Sequence, residues 1–383
     1  MIKNHFIKKI LINTVFRILS VINQCLPHNK SRILLYSNLD FRDNTRAIYD
    51  FLIENKYYAK YKIICATNDY KKFDKEQYPN VIFRSNKYGI LEYLLSGTVF
   101  YSFGKIPIKP HKKQNIVQMW HGTPLKAPGA SQLVSSKEVY YTHVFASADM
   151  FKPIMCDWFL CPLDIVCVNG HPRTDIFFRK IKRYNLGAYD KMILWTPTFR
   201  QSATLGYSDV SDAPLIPVID NSELKKIDDY LCEKHVKIII KLHPLQDLSK
   251  YKLMDMSNLM IMSHDDFTKK QLDLYAIAAQ SDALITDYSS IYFDYLLLNR
   301  PIGFTEDDVE SFEEQRGFSI KNPNEFKPGA KIKTIDDLYR FIDDLSAGRD
   351  EYQEMRKKVN NLVNKFHDGN NSQRALELVD IYL

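Results

Sequence analysis

The chain has 383 residues, 45% of them hydrophobic and 26% charged, with a formal net charge of +6. That length predicts two domains, the composition excludes a disordered or fibrous chain, and the mild basicity suits an anionic membrane surface or phosphorylated substrates rather than nucleic acid. Six scattered cysteines with no C-x-x-C pair indicate neither a zinc site nor a disulfide framework, so a reduced, cytoplasmic setting is expected.

No run of about 20 apolar residues exists, so a spanning helix is not expected. Residues 1–26 read as one amphipathic helix that ends at Pro27. His5, Lys9, Asn13, Arg17, Ser20 and Gln24 recur every three or four positions, and Ile7, Ile10, Leu11, Ile18, Val21 and Ile22 occupy the other side. Basic edges at Lys3, Lys8, Lys9 and Arg17 favour an interfacial helix on anionic lipid, and packing on the protein's own core or on a partner fits the same pattern. The lack of a small-residue cleavage site argues against a signal peptide.

Beyond it, residues 33–36, 61–66, 81–84, 99–101, 116–119, 143–146 and 165–168 read as short buried strands, with a helix over 43–56. The pattern then restarts. Strands are predicted at 192–195, 236–242, 259–262, 283–286 and 302–304, and helices at 222–233, 267–279 and 289–298. Three further helices close the chain, the last opened by Asn371 and Ser372. Strands alternating with helices of this length predict parallel sheets covered on both faces. The expected organisation is a membrane-associating helix over 1–30, a Rossmann-like N-terminal domain over 31–185 and a Rossmann-like C-terminal domain over 186–383.

Five polar segments follow predicted strands: Trp120-His121-Gly122-Thr123-Pro124-Leu125-Lys126, Gly170-His171-Pro172-Arg173, Trp195-Thr196-Pro197-Thr198-Phe199-Arg200, Lys241-Leu242-His243-Pro244 and Thr286-Asp287-Tyr288-Ser289-Ser290. In an open parallel sheet, ligands bind at that edge. A histidine such as His121 holds and releases a proton near neutral pH, as a general base must. Gly122 allows close approach, and Lys126 adds positive charge. Lys241 and His243 suit charge developing on a phosphate or leaving group. Ser289 and Ser290 open a helix, where amides and hydroxyls meet an anion or simply cap the helix. Asp287 has no second carboxylate at ligand spacing, so a turn or hydrogen-bonding role is favoured over a metal. Arg173 and Arg200 suit either phosphate or local carboxylates. The loop Asp368-Gly369-Asn370-Asn371-Ser372 also enters a helix and suits a second phosphate contact. The absence of G-x-x-x-x-G-K-[ST], G-x-G-x-x-G and G-x-S-x-G disfavours a kinase P-loop, a dinucleotide fold and an α/β hydrolase.

In these segments the chain resembles the CDP-glycerol glycerophosphotransferase family, the teichoic acid primases and polymerases with their capsule-forming relatives. The matching stretches are WHGTPLK (120–126), GHPRTD (170–175), ILWTPTFR (193–200), KLHP (241–244), ITDYSSIYFDYLLLNRPIGF (285–304) and FHDGNNSQRA (366–375), with NTRAIYD (44–50) and QRGF (315–318) in support. The resemblance implies a GT-B fold with the active site between two halves. It implies transfer of glycerol phosphate or ribitol phosphate from a CDP-polyol to a hydroxyl of a lipid-linked glycan or growing polymer, with release of CMP. His121 is then the candidate base and His243 its companion at the donor phosphates. Ser289, Ser290, Asn371 and Ser372 fall where the family cradles the pyrophosphate. Gly122, Thr123, Lys126, Arg173, Thr198, Arg200, Lys241 and Asp287 complete the expected substrate site. No metal and no cofactor beyond the donor substrate is implied. The expected location is the cytoplasmic face of the membrane, held peripherally. A GT-B sugar transferase using a UDP- or GDP-hexose is the competing reading.

Overall fold

The structure, a computed structural model, describes residues 14–73, 77–127, 138–181, 183–198, 201–202, 207–208, 216–242, 256–306, 309–315 and 317–383. The chain divides into two compact units. One comprises Met1–Thr123, Ala130–Phe178 and Lys365–Leu383, and the other comprises Pro124–Gly129 and Arg179–Asn364.

The N-terminal unit is built on strands β1 (Asn29–Ser37), β2 (Lys62–Thr67), β3 (Val81–Arg84), β4 (Ser96–Tyr101), β5 (Asn115–Gln118), β6 (His143–Ala146) and β7 (Val166–Val168). They pair in the order β3-β2-β1-β4-β5-β6-β7, and every neighbouring pair is parallel. Both faces of such a sheet are covered, which is why β4 is buried along its whole length. The order reverses between β1 and β4, and a crevice opens there at the carboxyl ends of the strands. The helix Asn86–Leu95 crosses the sheet closely at Gly89, where a Cβ would lie 2.8 Å from that of Ala66. No side chain fits at that crossing without movement of its neighbours.

The C-terminal unit carries β8 (Lys191–Thr196), a two-residue antiparallel pair β9 (Gln201–Ser202) and β10 (Tyr207–Ser208), then β11 (Val236–Lys241), β12 (Leu259–Met262), β13 (Ala283–Thr286), β14 (Ile302–Thr305) and β15 (Ala330–Ile332). The main sheet runs β12-β11-β8-β13-β14-β15, again all parallel, with its reversal between β8 and β13. Two Rossmann-like α/β units were expected and two are found.

Three details differ from the sequence reading. The helix expected over 267–279 is two helices, His264–Lys269 and Leu274–Gln280. Gln271 adopts a left-handed φ of 53°, which breaks the first, and the Asp273 carboxylate caps the second by accepting from Ala276 N. The edge strand β15, Ala330-Lys331-Ile332, was not expected, because its central lysine interrupts any apolar run. The third difference concerns the chain's end. Residues 365–383, expected in the C-terminal domain, belong to the N-terminal unit. Ala375, Leu376, Val379 and Ile381 complete the core formed by Ile33, Leu35, Ile48, Leu52, Ile63, Phe100 and Val117. Burying a leucine, valine or isoleucine is worth roughly 1.5–3 kcal/mol each, so this anchor amounts to several kcal/mol.

The helix Val15–Cys25 is inverted relative to a helix packed on a soluble core. Its polar side faces the protein: Lys109 N donates to Ser20 Oγ at 3.0 Å, and Asn23 Nδ2 donates to Lys109 O at 3.0 Å and to Gln114 Oε1 at 2.7 Å. Gln24 adds bonds to the carbonyls of Lys109 and Pro110. Ile18 and Val21 are 61% and 63% exposed, with Val15 and Ile22 beside them. The expected basic residues Lys3, Lys8 and Lys9 lie outside the described residues. No described helix is long and apolar enough to cross a membrane.

Candidate active site

In the N-terminal unit, β1, β4 and β5 deliver their following residues to the crevice at the sheet reversal. Asp43 and Asn44 follow β1, Ser102 and Phe103 follow β4, and Trp120 and His121 follow β5. The His121 ring lies between two aromatic rings, 5.0 Å from Phe103 in a stacked arrangement and 3.9 Å from Trp120. Its Nδ1 is 3.4 Å from the Ser102 carbonyl. That contact suits an Nδ1–H tautomer, which leaves Nε2 with the lone pair a base requires. His121 is only partly shielded from solvent, yet desolvation by its neighbours holds its pKa down, to about 4, against an opposing pull from Asp43. At neutral pH the ring is therefore uncharged, the form in which a base carries its lone pair.

The surrounding residues hold this loop rather than reach for a ligand. Arg173 is 6% exposed, and its Nη1 donates to both oxygens of Asp43 at 3.0 and 2.9 Å and to the His121 carbonyl at 2.8 Å. Its guanidinium, placed by the resemblance at the substrate and by its chemistry on either phosphate or a carboxylate, takes the carboxylate and is a strut beneath the histidine loop. Thr123 is buried, with its hydroxyl on Ser147 Oγ at 3.1 Å and 3.4 Å from His171 Nε2. Gly122 is buried beside it.

Asn371 and Ser372 were expected at the donor pyrophosphate. They lie instead in the N-terminal unit, and their amides are already taken. Asp175, 3% exposed, accepts from Asn371 N at 2.9 Å and Ser372 N at 2.8 Å. A carboxylate at a helix N-terminus does there what a phosphate would have done. Asn371 Nδ2 donates to Thr174 Oγ1 at 3.1 Å and to the His171 carbonyl at 3.3 Å, and Asn169 Nδ2 donates back to Asn371 O at 3.1 Å. A Cβ on Gly170, whose φ is +77°, would come within 2.4 Å of Asn371 Oδ1. The 170–175 and 366–375 stretches are therefore one interlocked structural assembly.

In the C-terminal unit the sheet reversal brings Thr196–Thr198 after β8 together with Asp287–Ser290 after β13. Asp287 is 1% exposed. Its two oxygens accept from Thr198 N at 2.9 and 2.8 Å, its Oδ1 accepts from Tyr288 N at 2.6 Å, and Thr198 Oγ1 donates to it as well. Asp287 thus plays the hydrogen-bonding role favoured from the sequence and sets the backbone on which Thr198, Ser289 and Ser290 sit. Both serines and Thr198 are partly exposed, and Ser290, at the start of the following helix Ile291–Tyr295, makes no side-chain cap bond to it. Lys241, at the end of β11, donates to the Leu242 carbonyl at 3.3 Å and lies 5.4 Å above the Phe267 ring. Lys126 belongs to this unit, where it bridges Phe318; Ser319 Oγ donates to the Lys126 carbonyl at 2.8 Å. That pairing ties the end of the 120–126 stretch to the 315–318 stretch. His243 and Arg200 lie outside the described residues. Among the described residues no group of three or more His, Cys, Asp or Glu is placed to hold a metal ion.

The sequence reading missed Asp43, Ser102, Phe103 and Asp175 as functional or supporting groups. Asp43 and Asp175 flank or sit inside noted stretches, so position relative to a motif was the available signal. Ser102 and Phe103 carried none beyond following a predicted strand.

Residues 18–380 match the family model described as CDP-Glycerol:Poly(glycerophosphate) glycerophosphotransferase. The chain is 28% identical over 375 residues to a teichoic acid poly(glycerol phosphate) polymerase of Bacillus spizizenii, covering 86% of each sequence. It is 24% identical over 406 residues to that organism's teichoic acid ribitol-phosphate primase, covering 98% of this chain and 97% of the primase. The solved structure of a variant of the wall teichoic acid polymerase TagF soaked with CDPG superposes with a TM-score of 0.70 at 21% identity. The match covers 97% of this chain and 95% of that one. That likeness confirms the fold expected from the resemblance, two Rossmann-like units of GT-B type. With a family model spanning nearly its whole length, the chain belongs to the CDP-glycerol:poly(glycerophosphate) glycerophosphotransferase family and is a polyol-phosphate transferase.

Proposed function

We propose that this enzyme transfers glycerol phosphate, or ribitol phosphate, from a CDP-polyol to a hydroxyl of a lipid-linked glycan or growing polymer at the cytoplasmic face of the membrane. The product belongs to a teichoic acid or capsule-like cell-surface polymer. The observation that carries the reading is His121, held neutral between Phe103 and Trp120 at the carboxyl edge of the N-terminal sheet. Its Nε2 takes the proton of the acceptor hydroxyl. The acceptor oxygen attacks the β-phosphorus in line, the bond from that phosphorus to the bridging oxygen breaks, and CMP leaves with the bonding electrons. Ser289, Ser290, Thr198 and Lys241, with Lys126, His243 and Arg200, are assigned to the donor phosphates and the charge spread over them.

The membrane assignment is supported by the inverted helix Val15–Cys25. Four apolar side chains on its outer side face solvent, and its polar side is consumed by the 109–114 segment. On the helix Asn86–Leu95, Tyr88, Leu91 and Leu95 form a second exposed apolar stripe. Gln114, which accepts from Asn23, also donates to the Tyr93 and Ser96 carbonyls, so the two helices are braced by one side chain. Lys109, Lys112 and Lys113 on the bracing segment suit anionic headgroups.

Purified enzyme incubated with a lipid-linked acceptor and, separately, CDP-glycerol, CDP-ribitol, UDP-hexose and GDP-hexose tests the reading. CMP release with a product heavier by one polyol phosphate is expected from a CDP-polyol. Release of UDP or GDP would overturn it in favour of sugar transfer. His121→Ala should bind donor and lose turnover by about 10²–10⁴-fold, and undiminished turnover would end the assignment of the base.

A further inference from the structure

The loop that presents His121 is held at both of its flanking carbonyls. Asn44 Nδ2 donates to the Trp120 carbonyl at 2.8 Å, and Arg173 Nη1 donates to the His121 carbonyl at 2.8 Å. The two donors are themselves joined, because Arg173 N donates to Asn44 Oδ1 at 3.1 Å. Asp43 then grips the guanidinium with both oxygens. All of these side chains are largely buried, with Arg173 at 5% and Asp43 at 15% side-chain exposure.

The loop needs such a grip. Trp120 has φ of 58° and Asp43 has φ of 63°, left-handed conformations that are strained for non-glycine residues. Arg173 and Asn44, joined to each other, form one clamp across these two strained segments, which are distant in sequence. Released from it, Trp120 would relax to an ordinary φ and carry the His121 ring off its stack on Phe103 and away from the Ser102 carbonyl.

The same residues set the charge around the ring. Asp43, the first residue of the helix Asp43–Glu54 that follows β1, favours the protonated imidazole; Arg173 and His171, on the segment after β7, oppose it. Arg42 sits 6.0 Å from the Phe103 ring on which His121 stacks. A base that becomes an imidazolium in the transition state gains from the carboxylate and loses from the cations, so the balance among these groups bears on the rate.

We propose that Asp43, Arg173 and Asn44 form the positioning assembly of the base His121: Arg173 and Asn44 clamp the loop by its two carbonyls, and Asp43 holds the clamp and supplies the negative charge that the protonated imidazole requires. The assembly rests on the reading of His121 as the base. Arg173 acts through the loop.

The test uses full-length protein labelled with ¹⁵N-histidine, with the His121 resonances identified by their loss in His121→Asn. Three quantities are read for Asp43→Asn, Asp43→Glu and Arg173→Lys: the His121 titration midpoint, kcat and KM for CDP-glycerol, and thermal melting. Asp43→Asn is expected to lower the midpoint by at least about half a unit and kcat by about 10–100-fold, with KM for the donor within about twofold. Asp43→Glu restores the midpoint. Arg173→Lys keeps the charge but cannot span Asp43 and the His121 carbonyl together, so kcat falls while the midpoint stays within a few tenths. If Asp43→Asn does not fold, the contrast between Asp43→Glu and Arg173→Lys decides. An unmoved midpoint with unchanged kcat in the folded variants overturns the proposal. If His121→Asn itself turns over normally, the base reading fails instead, and the two failures are told apart.

Discussion

Replacing Asp175 by alanine removes a buried carboxylate that accepts from two amides at the start of the helix Asn371–Glu377, at 2.9 and 2.8 Å. Hydrogen bonds to charged groups are worth about 1.5–3 kcal/mol each, and the helix terminus adds about 0.3–1 kcal/mol. Because one carboxylate serves both amides the contributions do not simply add, and a loss of about 3 kcal/mol is expected. At about 2–4 °C per kcal/mol for a unit of this size, the melting temperature should fall by about 6–12 °C. Asp175→Asn keeps one acceptor oxygen and should lose about half as much. Hydrogen exchange read by mass spectrometry supplies the local assay: peptides covering 366–383 should lose protection first, since Leu376, Val379 and Ile381 are anchored only after that helix is seated. Ser372→Ala, by contrast, should leave KM for CDP-glycerol unchanged. A melting shift below about 2 °C with unchanged exchange would refute the argument, and a raised KM for Ser372→Ala would return this loop to the donor site.

Three other outcomes follow from particular contacts. Ile18→Glu with Val21→Glu places two charges on the exposed side of the helix Val15–Cys25. Each apolar side chain transferred to lipid is worth up to about 1.5–3 kcal/mol, so co-sedimentation with anionic phosphatidylglycerol vesicles should weaken at least 100-fold without change in melting temperature. Unchanged binding would place the membrane contact elsewhere. The Arg374 fork, at 2.9 and 2.8 Å, holds the Asp368 carboxyl down to about 2, below its ordinary 3.8. Its stabilisation is therefore complete above about pH 4 and lost as pH falls towards 2. The difference in urea stability between wild type and Asp368→Asn should shrink over that window, and a difference that grows there would contradict the pairing. Asp287→Ala strips the acceptor from Thr198 N and Tyr288 N. It should cost about 2–4 kcal/mol in chemical denaturation and raise KM for the CDP-polyol through displaced Thr198 and Ser289; a stable variant with ordinary KM would show that these loops hold themselves.

The loops after β1, β5, β8 and β13 were legible because a parallel sheet covered on both faces writes itself as short apolar runs ending in polar turns. His121, Thr198, Ser289 and Ser290 stand at those ends as expected. What those polar groups bond to was not legible. Asp175 and Asn371 are separated by 196 positions, and nothing local announces that the helix amides already have a protein carboxylate. The same holds for Arg173, whose partner Asp43 lies 130 positions away. The helix terminus at Asn371 was read as suiting phosphate, and Arg173 as suiting either phosphate or a carboxylate, because cations and helix termini carry that chemistry whatever their partner.

Local pattern by itself determined the two α/β units and the family, and it nominated His121 as the candidate base, since each depends on short stretches of the chain. Tertiary structure alone decided that residues 365–383 complete the first unit's core, that the helix Val15–Cys25 turns its apolar side outward, and that Arg173 supports the histidine loop. Periodicity shows that a helix has two faces, but the donors and acceptors waiting at Lys109 and Gln114 choose which face turns inward. Buried charges must be paired, and only the folded chain brings the pairs within reach.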